Sequence, residues 1–144
     1  MNNEEKLLYF KSGKIEINNI TFVRMGDNDE AIKKPLEINV TDSYKIENYN
    51  SKILSFCFSR KVGFTPNVLF SVLVEFIVEL EFADKTKKEY GMNLELLGNT
   101  IKEKMEKIVE LSNVIPRASS LISAITQNNN GNPVVTPPKL IKQK

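Results

Sequence analysis

Apolar and polar residues alternate along the first half of the chain. Ile15 and Ile17 alternate with polar neighbours, and the alternation resumes at Ile20 and Phe22, one position out of phase. Successive side chains of a β-strand point to opposite faces of the sheet. The pattern therefore predicts a strand over residues 14–24 that carries a bulge or kink where the phase slips.

Three more strands are predicted by the same alternation. Leu36, Ile38 and Val40 share one face of the second strand, and residues 53–62 repeat the pattern in a third. In the fourth strand, over residues 68–82, every even position is apolar. Strands rich in β-branched and aromatic residues and separated by turn residues indicate an antiparallel sheet.

The second half of the chain changes to a helical period. From Asn93 or Asn99 onward, apolar residues recur at steps of three and four, which is typical of an amphipathic helix. This stripe consists of Leu94, Leu97, Ile101, Met105, Ile108, Leu111, Ile115, Ala118, Ile122 and Ile125. Pro116 lies within the stripe, and because it lacks a backbone N–H it should kink or break the helix into two pieces. A sheet followed by helix predicts an α+β fold.

The remaining segments indicate one domain with two extensions. An Asn-rich stretch over residues 128–133 ends the helix, and the proline pair that follows it favours an extended tail. We expect an N-terminal extension over residues 1–13, one domain over residues 14–138, and a basic, flexible tail over residues 139–144.

Composition removes most catalytic chemistries from consideration. The 144 residues include 41% hydrophobic and 26% charged residues, which is typical of one globular domain. Histidine, the commonest general base and metal ligand, is absent, and the single cysteine, Cys57, lies between two phenylalanines in a predicted strand. We therefore expect a protein that is not an enzyme, with no catalytic residue, no metal site and no cofactor.

Charge and apolar runs favour a cytoplasmic protein. The net charge of +2 is too small to indicate nucleic-acid binding, and no strand face alternates basic and aromatic residues. The apolar stretch Val68–Val74 is far shorter than the ~20 residues of a membrane-spanning helix, and the first residues lack the pattern of a secretion signal. We expect no membrane insertion, and we rank nucleic-acid binding through the lysines of residues 139–144 below the hypotheses that follow.

The apolar residues exceed what one sheet face of a small domain needs. In one interpretation they close the core and a homo-oligomer interface. In the other, some of them line an open groove that binds extended segments of other proteins, where backbone pairing and shallow pockets give affinity without sequence specificity. Periodicity does not separate the two interpretations.

The chain contains Ile20-Thr21-Phe22, Pro35–Val40 and Asn113–Ala118 in this order, and these short motifs resemble those of the SecB family of protein-export chaperones. Ile20-Thr21-Phe22 is similar to the Ile-Ser-Phe strand motif of that family, and Pro35–Val40 takes the place of its Pro-x-Val-x-Leu-x-Leu strand. Asn113–Ala118 resembles its proline-broken first helix, and Asn130–Pro133 with the following proline pair resembles its Gly-x-x-Pro loop and Ala-Pro. The resemblance spans about residues 14–138.

This resemblance implies a fold and a function together. The fold is a four-stranded antiparallel sheet followed by a long proline-broken helix, with a truncated C-terminal helix because the sequence stops near Leu140. The function is that of an ATP-independent chaperone, or holdase, which binds unfolded or pre-secretory polypeptides in apolar grooves and assembles as a homotetramer, a dimer of dimers. The resemblance assigns the client-binding groove to Phe22, Leu36, Ile38 and Val40, and the oligomer interface to Ile101, Ile108, Leu111, Ile115 and Ile122.

The partner is left open by three departures from the family pattern. The family's Phe-Pro-Tyr is Ile115-Pro116-Arg117 here, lysines replace its acidic tail, and the second helix that walls its groove is essentially missing. These three departures count against docking to the SecA export motor. The alternative is a dedicated interaction protein for a single partner such as an antitoxin, a role that some SecB-like proteins have.

Overall fold

The structure is a computed structural model, which describes residues 8–25, 36–65, 69–130 and 132–141. Within these residues, four strands come first and three helices follow. The α+β fold predicted from the change of period is therefore confirmed.

The four strands form one antiparallel sheet. Strand β1 spans Phe10–Arg24, β2 spans Glu37–Tyr49, β3 spans Ile53–Thr65 and β4 spans Phe70–Phe82. Their order in the sheet is β1-β4-β3-β2, so β1 and β2 are the edge strands. Strands β2 and β3 extend beyond the predicted segments because residues flanking the apolar alternation also pair.

The predicted irregularity in β1 is confirmed. The pairing of β1 with β4 shifts between Ile17 and Asn19, where the alternation of the sequence slips by one position. The bulge returns Ile20 to the same face of the sheet as Ile17. Strand β1 begins at Phe10, four residues earlier than predicted, and the ring of Phe10 stacks on that of Phe82 at 5.2 Å between centroids. The expected boundary of the N-terminal extension at residue 13 therefore falls inside the strand.

Three helices follow the sheet. Helix α1 spans Asp84–Tyr90, α2 spans Leu94–Leu111 and α3 spans Val114–Asn130. The pattern of apolar residues did not predict α1, because a helix of seven residues buries only Thr86 and Tyr90 and shows no stripe. Its ends suit the helix dipole, with an aspartate in the first turn and lysines in the last.

The predicted break at Pro116 is confirmed. Helix α2 ends at Leu111, and α3 begins two residues before the proline. Pro116 cannot donate to the carbonyl of Ser112, so the chain leaves the helix just before that turn, and the proline then sits in the first turn of α3, where no N–H partner is needed. Asn113 makes the turn with a φ of 67°, a conformation that asparagine tolerates better than most residues.

The core lies between the helices and one face of the sheet. On that face β3 and β4 contribute a row of buried apolar side chains, and Leu97, Ile101, Met105 and Val109 cover the row from α2. The outer face of the same strands carries Ser, Cys, Glu and Lys residues together with Ile53, Leu73 and Ile77. We refer to the covered face as the inner face.

Most residues of the predicted oligomer interface lie in the core of this chain. The side chains of Ile101, Ile108, Ile115 and Ile122 are buried within this single chain, at 0–3% exposure, as part of its own core. A side chain that packs against the sheet of its own chain offers no surface to another subunit. Leu111, at the end of α2, is 64% exposed and is the one member of the predicted set that a second molecule can reach.

Residues 132–141 form a segment without helix or strand, which bends at Pro138 and Lys139 and which we name the strap. Arg60 of β3 is fully buried, and its guanidinium donates to Thr136 Oγ1 at 2.9 Å, to the carbonyl of Pro137 at 2.6 Å and to that of Lys139 at 2.9 Å. Leu140 is 9% exposed and belongs to the core cluster.

An ion pair holds Arg60 in place under the strap. The guanidinium binds both carboxylate oxygens of Asp42 in β2, at 2.7 and 2.8 Å, and the backbone N–H of Ile141 also donates to this carboxylate at 2.8 Å. Residues 139–141, which the sequence assigned to a flexible tail, have backbone groups that bind Arg60 and Asp42. Lys142 and Lys144, which that prediction also included, lie outside the described residues.

Removing the carboxylate of Asp42 should destabilise the protein strongly. The substitution Asp42→Ala leaves the buried guanidinium of Arg60 without its counter-charge, which typically costs about 3–5 kcal/mol. We expect this loss in the free energy of unfolding measured by urea denaturation. The exposed pair of Lys14 and Glu16, joined at 2.9 Å, provides the control, and Glu16→Ala should cost less than about 1 kcal/mol. Equal losses would contradict the role of the buried pair.

A second prediction concerns the contact between α2 and β2. A Cβ atom on Gly98 would overlap the ring and hydroxyl of Tyr49, so Gly98→Ala should lower the free energy of unfolding by about 1–3 kcal/mol, although alanine favours helix. The loss should shrink in a Tyr49→Leu background. At Gly63 an added Cβ meets nothing within 4 Å, so Gly63→Ala should not destabilise by overlap. A Gly98→Ala protein as stable as the parent would show that the helix sits farther from β2.

Candidate binding groove

Edge strand β1 exposes apolar side chains on the inner face of the sheet. Ile17 pairs with Phe76 and Ile20 with Val74, so both isoleucines share the face of the buried β4 residues. They are nevertheless 56% and 43% exposed. Helices α2 and α3 bury the inner face of β3 and β4 but leave this part of β1 uncovered.

An open groove runs between β1 and the helices. It consists of two cavities, of about 350 and 770 Å³, which share Ile15 and Arg117 in their walls. We name this space the β1 groove. Its apolar lining includes Ile15, Ile17, Phe76, Leu80, Leu111, Pro116 and Leu121.

The backbone of β1 adds a second feature to the groove. Among the described residues β1 pairs only with β4, so the N–H and C=O groups along its other edge have no strand partner. Fifteen residues of strand extend over about 50 Å. The bulge between Ile17 and Asn19 interrupts this edge, as bulges commonly do in edge strands of soluble proteins. The edge therefore offers hydrogen bonds beside an apolar surface.

Charged side chains line parts of the groove. Lys11 binds Glu81 at 3.0 Å, and this hydrogen bond raises the pKa of Lys11 and lowers that of Glu81. The ammonium of Lys14 binds Glu16 at 2.9 Å, which raises the pKa of Lys14. Arg117 lies where the two cavities meet. The walls of the groove thus combine apolar side chains with charged ones.

The residues assigned to a groove by the sequence lie at one end of the inner face. Phe22 of β1 stacks on Phe70 at 5.3 Å, and Phe64 meets Phe70 edge-on at 5.1 Å. Ile38 of β2 pairs with Phe64, which completes a row from one sheet edge to the other. Ile38 is 54% exposed, whereas Phe22, Leu36 and Val40 are half-buried. Their role in client binding stays a prediction.

Sequence reasoning did not single out the β1 groove. Its signal was present, because Ile15, Ile17 and Ile20 stood out as one apolar face of a strand. A strand pattern does not show whether the strand is central or at an edge, or how far a helix covers it. Those two facts expose Ile17 and Ile20, and both depend on strand order and helix position.

The described residues offer little catalytic chemistry. They contain no group of three His, Cys, Asp or Glu side chains placed to hold a metal ion. Cys57 lies half-buried on the outer face of the sheet, opposite Ile77, and burial raises the pKa of its thiol, with Glu75 and Glu47 adding to the effect. No helix in the described part of the chain is long and apolar enough to cross a membrane.

Cys57 should react slowly with alkylating reagents. A raised pKa means a smaller thiolate fraction at any pH below it, and only the thiolate attacks iodoacetamide rapidly. In the folded protein the alkylation rate should rise with pH at a higher midpoint than in the urea-unfolded chain. A folded-state midpoint at or below that of the unfolded chain would make Cys57 a candidate nucleophile.

Comparisons with known proteins identify a structural neighbour. No protein-family model matches the sequence, and no curated protein sequence does. The SecB-like chaperone of Mycobacterium tuberculosis, solved in complex with a ChAD peptide from the HigA1 antitoxin, superposes with a TM-score of 0.58. The alignment covers 95% of this chain and 92% of that one, at 7% sequence identity. The two chains share the fold, which confirms the expected SecB-like architecture.

A second solved structure aligns less well. It is a protein of unknown function from Streptococcus agalactiae, which covers 88% of this chain and 96% of its own length at 13% identity. Its TM-score of 0.36 is too low to show a shared fold.

Proposed function

We propose that this protein binds extended segments of other polypeptides in the β1 groove, without enzymatic activity and without ATP, as a chaperone of the holdase type. The observation that carries the proposal is the exposure of Ile17 and Ile20 beside an unpaired strand edge and an open apolar groove. An unfolded client offers both backbone hydrogen-bonding groups and apolar side chains, which match these two features.

The two features act together in recognition. An added strand can hydrogen-bond to the backbone of β1, as peptides do when they extend an exposed sheet. Its alternate side chains then point to the inner face, where they cover Ile17 and Ile20. Full burial of an exposed isoleucine contributes about 1.5–3 kcal/mol, and because Ile17 and Ile20 are already about half buried, covering both adds roughly 1.5–3 kcal/mol toward the ~8 kcal/mol of a micromolar affinity. Since backbone groups are common to all polypeptides, such binding tolerates many sequences.

A dedicated partner is the second candidate. The structural neighbour is described as a SecB-like chaperone in complex with an antitoxin peptide, and that description supports a single peptide partner as well as a broad client range. The length of β1 favours neither a single partner nor a broad range of clients. An antitoxin segment is the chemical class to test first for a dedicated partner, and the SecA motor remains the corresponding candidate for a role in export.

Self-association belongs to the same proposal. The free edge of β1 and the exposed Leu111 are surfaces that a second copy can cover, in keeping with the expected dimer of dimers. A homotetramer would still need open groove for a client. Mass measured by light scattering, with and without a reduced and unfolded model client, gives both the subunit number and the uptake of client.

The groove assignment has a matched control within β1. Ile20 and Val23 are 43% and 44% exposed, but Val23 pairs with Ser71 on the outer face. Ile17→Asp and Ile20→Asp should weaken client binding by at least about tenfold, because loss of roughly 1.4 kcal/mol of apolar contact has that effect. Val23→Asp should leave binding unchanged. Fluorescence anisotropy of a labelled, unfolded client measures the affinity, and circular dichroism checks the fold.

Two outcomes would change the proposal. Equal affinity in the Ile20→Asp and Val23→Asp proteins would remove the groove assignment, and loss of binding in Ile38→Asp alone would move the site to the row that ends at Ile38. Affinity capture separates the two candidate functions. Recovery of many unfolded proteins supports the holdase, whereas recovery of one protein at a fixed ratio supports a dedicated partner.

A further inference from the structure

The strap is bound to the domain through its backbone. Thr126 accepts from the N–H of Val134 at 2.7 Å, and Ser119 donates to the carbonyl of Thr136 at 2.8 Å. Arg60 donates to the carbonyls of Pro137 and Lys139, and Asp42 accepts from the N–H of Ile141. Five backbone groups of the strap therefore bond to side chains of the domain. A site that binds backbone groups in this way does not require a particular sequence.

A bend in the strap brings its backbone groups to one place. The groups that face Arg60 and Asp42 belong to Pro137, Lys139 and Ile141, which are alternate residues. The chain bends at Pro138 and Lys139, and the carbonyls of Pro137 and Lys139 both reach the guanidinium of Arg60. The prolines of the strap have φ fixed in advance and have no N–H to satisfy.

Only one apolar side chain of the strap, that of Leu140, is fully buried. Thr136 is also buried and Val134, Pro137 and Ile141 are half-buried, whereas Val135 is 80% exposed and the side chains of Pro138 and Lys139 are also exposed. Segments with few buried apolar contacts open at much lower free energy than the whole domain unfolds. When the strap lifts, Arg60 and Asp42 remain paired with each other through two hydrogen bonds. The strap can therefore detach without loss of the sheet.

We propose that Arg60 and Asp42 on the inner face of the sheet, together with Ser119 and Thr126 of α3, form a second polypeptide-binding site, distinct from the β1 groove, which the strap occupies until a segment of another protein displaces it. The ligand is a polypeptide segment with an aliphatic side chain at the position of Leu140 and a small or hydroxyl side chain four residues before it. This inference rests on the proposed function for its natural ligand. The strap itself supplies a ligand that tests the site independently.

The first experiment loosens the strap and supplies it again as a free peptide. The probe is a fluorescently labelled peptide with the sequence of residues 132–141, titrated into the full-length protein. Leu140→Ser removes the aliphatic anchor of the strap and leaves the site intact, so the apparent affinity for the probe should rise by about tenfold or more as the open state becomes populated. Val135→Ser changes an exposed residue of the same strap and should leave the affinity as in the parent.

A second variant guards against an effect of Leu140→Ser on folding. Ile141→Pro removes the N–H that Asp42 accepts and changes no core side chain, so it should also strengthen binding of the probe. If neither variant binds the probe more tightly than the Val135→Ser protein does, the proposal is overturned, and the strap is a fixed part of the fold.

Hydrogen exchange of the unaltered protein tests displacement by a client. The backbone N–H groups of Val134 and Ile141 are bonded to side chains only, so their exchange reports the position of the strap. With a saturating, unfolded client both should exchange faster, while the amides of β3 and β4 keep their protection. If a client binds and the exchange rates of Val134 and Ile141 do not change, the client does not displace the strap, and this inference is overturned. The proposed function would still stand. If no client binds, the proposed function fails, and the peptide titration still decides whether the site exists.

Discussion

The buried guanidinium of Arg60 is the contact that connects the separate parts of this protein. A guanidinium carries five N–H groups, and here each of them has an acceptor, two on Asp42 and three on the strap. Burial of a charge is tolerated only when it is paired and its hydrogen bonds are made. The ion pair joins β2 to β3, and the remaining donors fix the strap over the same face. Arg60 therefore couples the position of residues 132–141 to the pairing of the sheet.

The inner face of the sheet is covered unequally. The helices bury the central strands, the strap covers part of β2 and β3, and β1 is left with exposed isoleucines beside an open groove. An exposed apolar edge strand is an aggregation hazard unless something limits or uses it. The bulge after Ile17 and the ion pairs of Lys11 and Lys14 limit this hazard. The proposed binding role makes use of the exposed edge.

The two proposed binding surfaces differ in their physical means of recognition. The β1 groove offers an unpaired strand edge and apolar side chains, whereas the site beneath the strap offers charged and hydroxyl side chains to backbone groups. Both depend on groups that every polypeptide has, so neither selects strongly among sequences.

The sequence by itself determined the local elements of this protein. The alternation and its slip after Ile17 located the bulged first strand, and Pro116 located the break between α2 and α3, because strand periodicity and proline geometry act over a few residues. Only the tertiary structure decided that β1 is an edge strand, that Ile101, Ile108, Ile115 and Ile122 close the core of their own chain, and that Arg60 meets Asp42 and the strap. The local sequence does not distinguish Arg60 from other charged residues, because its partners lie 18 and more than 70 positions away along the chain. Exposure and burial depend on which distant segments pack together, and a local pattern carries no information about that choice.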